Sequence, residues 1–129
     1  MIHEKRALRI ELMNLLYQHD LYKSSGFPFI PIFELEELSP IFMDITDHLK
    51  KIDQIIETNL VDYSLYRLSF VDRAIIRLAV YELISSDLAK EIIIDEAVEL
   101  TKIYANLDDE KQHKFTNRVL DNIAKSIKG

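Results

Sequence analysis

The chain has 129 residues, 48% hydrophobic and 29% charged, enough for one domain with its own core. It has no cysteine, which excludes disulfides, thiolate metal sites and a cysteine nucleophile, and no apolar run reaches the roughly 18 residues of a membrane span. With 16 basic and 22 acidic residues the net charge is −6, which argues against binding nucleic acid by bulk charge, because phosphate contacts supply most of that affinity.

Two glycines and three prolines among many Leu, Ile, Glu and Lys favour long helices over a turn-rich β fold. The start, Met1 to Arg9, mixes charge with apolar residues and has no signal-peptide core, which fits a cytoplasmic protein. Leu8, Leu12, Leu15 and Leu16 form a stripe at helical spacing and predict a first helix over 4–21. Gly26-Phe27-Pro28 and Pro31 break it. An irregular connection follows to about Phe33, and its three Phe residues predict that it packs down.

Ser39-Pro40 reads as an N-cap followed by a proline at the first helical position, and Ile45, Leu49, Ile52 and Ile56 predict one helix over 40–58. A short turn is expected over Ser64–Leu68. Ser69-Phe70-Val71-Asp72 resembles a capping box with Asp in the place of Glu, opening a helix over 70–85. That helix is apolar around most of its circumference, so it belongs in the centre, with Leu78, Val80 and Leu83 in the core and Arg73 and Arg77 on its wet edge. Ile92-Ile93-Ile94 reads as a buried lead-in to a helix capped by Asp95 and running over 96–105. A turn over 106–109 and a last helix over 110–127, carrying Phe115, Val119, Leu120, Ile123 and Ile127, complete an all-α, single-domain architecture over residues 1–129.

The four histidines form no His-Glu-x-x-His pattern, and Asp44, Asp47 and His48 read better as a solvated face than as a metal site. Acid pairs such as Glu96–Glu99 and Asp108–Asp109 complement helix starts. Nothing calls for an enzyme, a metal or a cofactor.

The charge distribution is uneven. Glu34, Glu36, Glu37, Asp44, Asp47, Asp53, Glu57 and Asp62 crowd the middle, while Lys5, Arg6, Arg9 and Lys23 lie near the start and Lys111, Lys114, Arg118, Lys125 and Lys128 near the end. If the ends meet, an acidic protein carries a local basic surface. Lys111, Lys114, Arg118 and Lys125 keep near one stripe of the last helix, with Phe115 and Asn117 beside them and Tyr104 closing the helix before. Cations for phosphates, with an aromatic and an amide for bases, suit single-stranded RNA. Phe115 also fits plain core, in register with Val119.

Arg67 to Leu83 (RLSFVDRAIIRLAVYEL), Ile94 to Lys102 (IDEAVELTK), Lys114 to Asp121 (KFTNRVLD), Arg6-Ala7-Leu8-Arg9 and Leu16-Tyr17 resemble the motifs of the NusB family. The resemblance implies two packed three-helix bundles and a cytoplasmic antitermination factor. Its expected partners are boxA RNA of nascent ribosomal transcripts, the ribosomal protein NusE and the antitermination complex on RNA polymerase. The contrast between the basic ends and the acidic middle predicts that the first and last helices lie side by side, merging Lys5, Arg6 and Arg9 with Lys114, Asn117 and Arg118 into one RNA surface bordered by Tyr104 and Phe115. The resemblance places Tyr17, Leu21 and Asp72 near the NusE contact, although Asp72 is equally well a helix-capping acid. Arg118 stands where the family usually has glycine. The competing reading is a helical protein-interaction module with no RNA role.

Overall fold

Six helices carry the chain: α1 (Arg6–Ser25), α2 (Leu38–Asp47), α3 (Leu49–Asn59), α4 (Phe70–Ser85), α5 (Lys90–Tyr104) and α6 (Lys111–Lys128), with a 3₁₀ turn at Leu65–Arg67. The computed structural model describes residues 6–61, 64–105 and 110–128, and there is no strand among them. Lys5, the expected helix start at residue 4, Asp62, the turn expected over 106–109 and the Asp108–Asp109 pair lie outside the described residues.

The leucine stripe of α1 is buried as its spacing predicts. The helix runs past Leu21 to Ser25 and stops at Gly26, whose φ of 78° is cheap only for glycine. The Gly26 N–H donates to the Lys23 carbonyl and the Phe27 N–H to the Tyr22 carbonyl, a Schellman ending. Of the three Phe residues expected to pack down, Phe29 and Phe33 do, against Phe42, but Phe27 is exposed.

The single helix expected over 40–58 is two. α2 begins at Leu38, with Ser39 and Pro40 inside its first turn, where a proline removes only an N–H that has no helical partner. His48 interrupts the run with φ −102° and ψ 7°, its Nδ1 2.8 Å from the Asp44 carbonyl. The bend lets both halves bury apolar faces: Leu38, Phe42 and Ile45 from α2, Ile52 and Ile56 from α3. Asp44 accepts a 2.6 Å hydrogen bond from the Tyr81 hydroxyl, and burial together with that carboxylate pushes the tyrosine up to about 12.

α4 has the expected bounds, and Leu78, Val80 and Leu83 are in the core. The Ser69 Oγ accepts from the Asp72 N–H at 3.1 Å, and the Ser69 hydroxyl donates to the Asp72 carboxylate at 2.9 Å. The wet edge expected at Arg73 and Arg77 does not exist: both are 4% exposed. α4 is packed by α1, α3, α5 and α6, so within it only Ile84 and Ser85, at its end, are exposed. The two guanidiniums are buried because carboxylates are brought to them. Arg73 Nε lies 2.8 Å and Arg77 Nη1 3.2 Å from Asp20 of α1, and Arg77 forks onto Asp53 of α3 at 2.8 and 2.9 Å. Phe70 and Tyr66 cover the Arg73 guanidinium at 4.3 and 5.3 Å.

α5 starts at Lys90, six residues before the expected position, and Asp95 is an exposed residue inside it. Ile93, Ile94, Ala97, Leu100 and Thr101 are buried at helical spacing. Burial of that stripe against α4 and α6 outweighs the weak β preference of three consecutive isoleucines. α6 buries Val119, Leu120, Ile123 and Ala124. The helices thus fall into α1–α2–α3 and α4–α5–α6, with α4 shared by both groups.

Candidate RNA and protein interface

Among the described residues, those expected on the RNA surface fall into separate groups. α1 packs mainly on α4 and α2, while α6 packs mainly on α5, α4 and α3, so α4 stands between the first and last helices. The reason is α4, which takes the central place between them, packed by α1, α3, α5 and α6 through apolar contacts and buried ion pairs.

At the start of α1, two arginines meet acids from α4 and α5. Arg9 is 1% exposed, its Nε bonded to both oxygens of Glu82 at 3.1 and 3.2 Å and its Nη1 3.5 Å from Glu96. Arg6, exposed, places Nη2 2.8 Å and Nε 3.3 Å from the same Glu96. The hydrogen bond from Arg6 holds the Glu96 carboxyl below its ordinary value, its partial burial opposing. Arg9 therefore ties α1 to α4 and α5 and shows no surface to a ligand.

A second group lies where α4 begins and α6 passes it. Arg67, Leu68, Ser69, Asp72, Ala105, Lys111, Gln112, Lys114, Phe115 and Arg118 line an open cleft of about 780 Å³. Four of these are cations and one is an acid. The cations converge because Lys111, Lys114, Phe115 and Arg118 follow one another by three, one and three on a helix, close to one face. Arg67 arrives from the 3₁₀ turn across the cleft. Arg118 sits over the Phe115 ring at 5.9 Å, and Lys114 also reaches Glu110 at 3.3 Å. Phe115 is half-buried, so core and cleft share it. Asp72 forms the floor, 6% exposed. Burial pushes its carboxyl up, against hydrogen bonds with Ser69 and Gln112 that pull it down.

Tyr104 belongs to a third group. It joins Met13, Asn14, Tyr17 and Val71 around a smaller hollow of about 210 Å³, with Tyr17 edge-on to Phe70 at 6.2 Å. Val71 and Asp72 are neighbours, as are Tyr104 and Ala105, so this hollow and the cationic cleft adjoin around the N-terminal turn of α4. Leu21 is exposed one turn further along α1 from Tyr17, and Asn117 is exposed on α6 outside the cleft lining. Arg67 and Gln112 line the cleft but were not among the expected site residues. The one signal for Arg67 was a cation two residues before the N-cap Ser69. No group of three His, Cys, Asp or Glu side chains suited to a metal is found among the described residues, and no helix among them is long and apolar enough to cross a membrane.

The chain matches the family model described as NusB family over residues 35–125. It is 38% identical to the transcription antitermination protein NusB of a Nitratiruptor species, over 96% of this chain and 94% of that one. It is 33% identical to the protein of the same name from Staphylococcus aureus, over 94% and 98%. Among solved structures, T. maritima NusB superposes with a TM-score of 0.76 at 34% identity, covering 93% of this chain and 89% of that one. The structure of antitermination factors NusB and NusE in complex with dsRNA superposes at 0.74 and 30%, covering 98% and 99%.

Proposed function

The chain belongs to the NusB family, and from that premise we propose that it is a transcription antitermination factor that binds boxA RNA of nascent ribosomal transcripts together with NusE. The observation that carries this reading is the cleft between α4 and α6. Arg67, Lys111, Lys114 and Arg118 gather there beside the half-buried Phe115 on a chain of net charge −6. A local cationic groove with an aromatic wall takes a nucleic-acid strand that the whole molecule, by its overall charge, does not attract. Lys111, Lys114 and Arg118 meet phosphates and Phe115 offers a ring edge to a base, with Asn117 beside them on α6 and the exposed Arg6 a separate cation at the start of α1. Lys5 is an RNA contact by its place in the sequence alone. Arg9 serves as scaffold.

Tyr17, Leu21 and Asp72 adjoin that cleft along α1 and the start of α4, and form the NusE contact. Tyr104 lies between the two surfaces. Binding RNA and NusE side by side explains how a weak groove on an acidic protein is completed by a partner. The role is regulatory, without a catalytic step, as part of the antitermination complex on RNA polymerase in the cytoplasm.

The test is titration of a single-stranded boxA RNA, and of its duplex, with the chain alone and with NusE. Lys114→Glu combined with Arg118→Glu lowers affinity and reduces the log–log salt slope by about 0.7 for each single-strand phosphate that is no longer neutralised. If that variant binds RNA as the parent does at low salt, the cleft is not the site. If neither the chain nor its mixture with NusE binds RNA, the chain is an interaction module without an RNA role.

A further inference from the structure

Residues 27–37 are built unlike the rest of the chain. From Phe29 to Phe33 burial alternates with a period of two: 29, 31 and 33 face inward, while Ile30 and Ile32 are 83% and 84% exposed. That is the pattern of a strand lying on a core. Its inward side is fixed by an aromatic cluster. The Phe29 ring meets Tyr22 at 5.2 Å, His19 at 6.2 Å and Phe42 at 6.4 Å, and Phe33 meets Phe42 at 5.9 Å. Yet among the described residues 28–34 make no backbone hydrogen bond. Pro31 interrupts one edge, because it has no N–H. The other edge keeps the N–H groups of Ile30, Ile32 and Glu34 in alternation.

An exposed apolar segment in extended form, with its backbone unpaired, is a template for a partner strand. Its chemistry points to one kind of partner. Glu34, Glu36 and Glu37 are exposed beside it and make no ion pair among the described residues, so the complementary strand is basic. The surface is also continuous with α1. The Tyr22 ring meets Phe29 at a tilt of 47°, and Leu21, Tyr22, Phe27, Ile30 and Ile32 are exposed, so apolar surface continues from α1 onto this segment. The strand precedes residue 35, where the family-model match begins.

We propose that residues 27–37 extend the protein-partner surface, taking a basic strand of that partner along the edge that carries Ile30, Ile32 and Glu34. This rests on the reading that NusE is the protein partner. Three substitution sets test it against NusE by calorimetry at two salt concentrations. Ile30→Ser with Ile32→Ser leaves the inward aromatics untouched and weakens binding about tenfold or more, as the loss of an apolar anchor does. Glu34→Lys, Glu36→Lys and Glu37→Lys together weaken it and flatten its salt dependence. Tyr17→Ala weakens it independently. The isoleucine pair, exposed and clear of the core, keeps the parent's thermal midpoint and the affinity of the chain alone for boxA RNA. If Tyr17→Ala weakens NusE binding while both strand variants bind as the parent does, this proposal falls and the partner reading stands. If the parent does not bind NusE, both fall. If sedimentation shows that the isoleucine pair alters self-association and not NusE binding, the strand is an interface between copies of this chain and the proposal is overturned.

Discussion

Replacing Arg9 by glutamine separates scaffold from RNA contact at the start of α1. The guanidinium is 1% exposed and forks onto Glu82, itself 3% exposed, with a longer reach to Glu96. Breaking a buried pair by removing one partner costs about 3–5 kcal/mol, because the remaining charge is left in a low-dielectric site. Glu96 keeps its bond from Arg6 and some solvent, so the loss falls mainly on Glu82. Glutamine also retains one amide for that carboxylate. Both arguments place the cost at the low end, about 3 kcal/mol. With an unfolding entropy of about 2.1 cal/mol/K per residue, that lowers Tm by roughly 10 °C. Urea unfolding at neutral pH measures the stability, and titration with boxA RNA well below the transition measures binding by folded protein. The expected result is a large loss of stability with unchanged RNA affinity. A variant whose stability stays within about 0.5 kcal/mol of the parent and whose RNA affinity collapses would show that Arg9 faces the ligand and is not a buried tether.

Three further expectations follow from the same geometry. Among the described residues, Asp20→Ala leaves Arg73 with the rings of Phe70 and Tyr66, and Arg77 with Asp53, so chemical denaturation should show a loss of about 3 kcal/mol; a cost under about 1 kcal/mol would mean that water reaches these guanidiniums. Leu78→Ala, at a site 2% exposed, should cost about 2–5 kcal/mol in the same assay; a much smaller loss argues against the central place of α4. Asp72 bears on pH: burial raises its carboxyl above the unfolded value, so its contribution is full below the ordinary carboxylate range and is lost as pH rises through the raised value. Asp72→Asn should flatten that part of the stability–pH curve and be at least as stable as the parent at neutral pH. A larger deficit at neutral than at acid pH would show that the helix start needs the charge.

The all-helical class, the bounds of α4, its serine cap and its core leucines were legible in the sequence because each depends on near neighbours: a 3.6-residue apolar stripe, a cap three residues from the N–H it binds, a glycine where φ is positive. The family motifs were legible for the same reason, as short contiguous strings. What failed were statements about partners far apart in the chain. Arg73 and Arg77 look like solvent residues until α1 and α3 bring Asp20 and Asp53 against them, across 24 residues in the case of Asp53. Arg9 looks like an RNA cation until Glu82, 73 residues away, takes it out of solvent. The start of α5 was missed because Asp95 looks locally like a cap, whereas burial of Ile93, Ile94 and Ala97 against α4 and α6 carries the helix back to Lys90, with Ile92 left exposed. The basic ends were visible as composition, but composition is silent on packing. Because α4 is packed by α1, α3, α5 and α6, α1 and α6 lie on different flanks of it, and the cations sort into a tethered pair at one site and an open cleft at another.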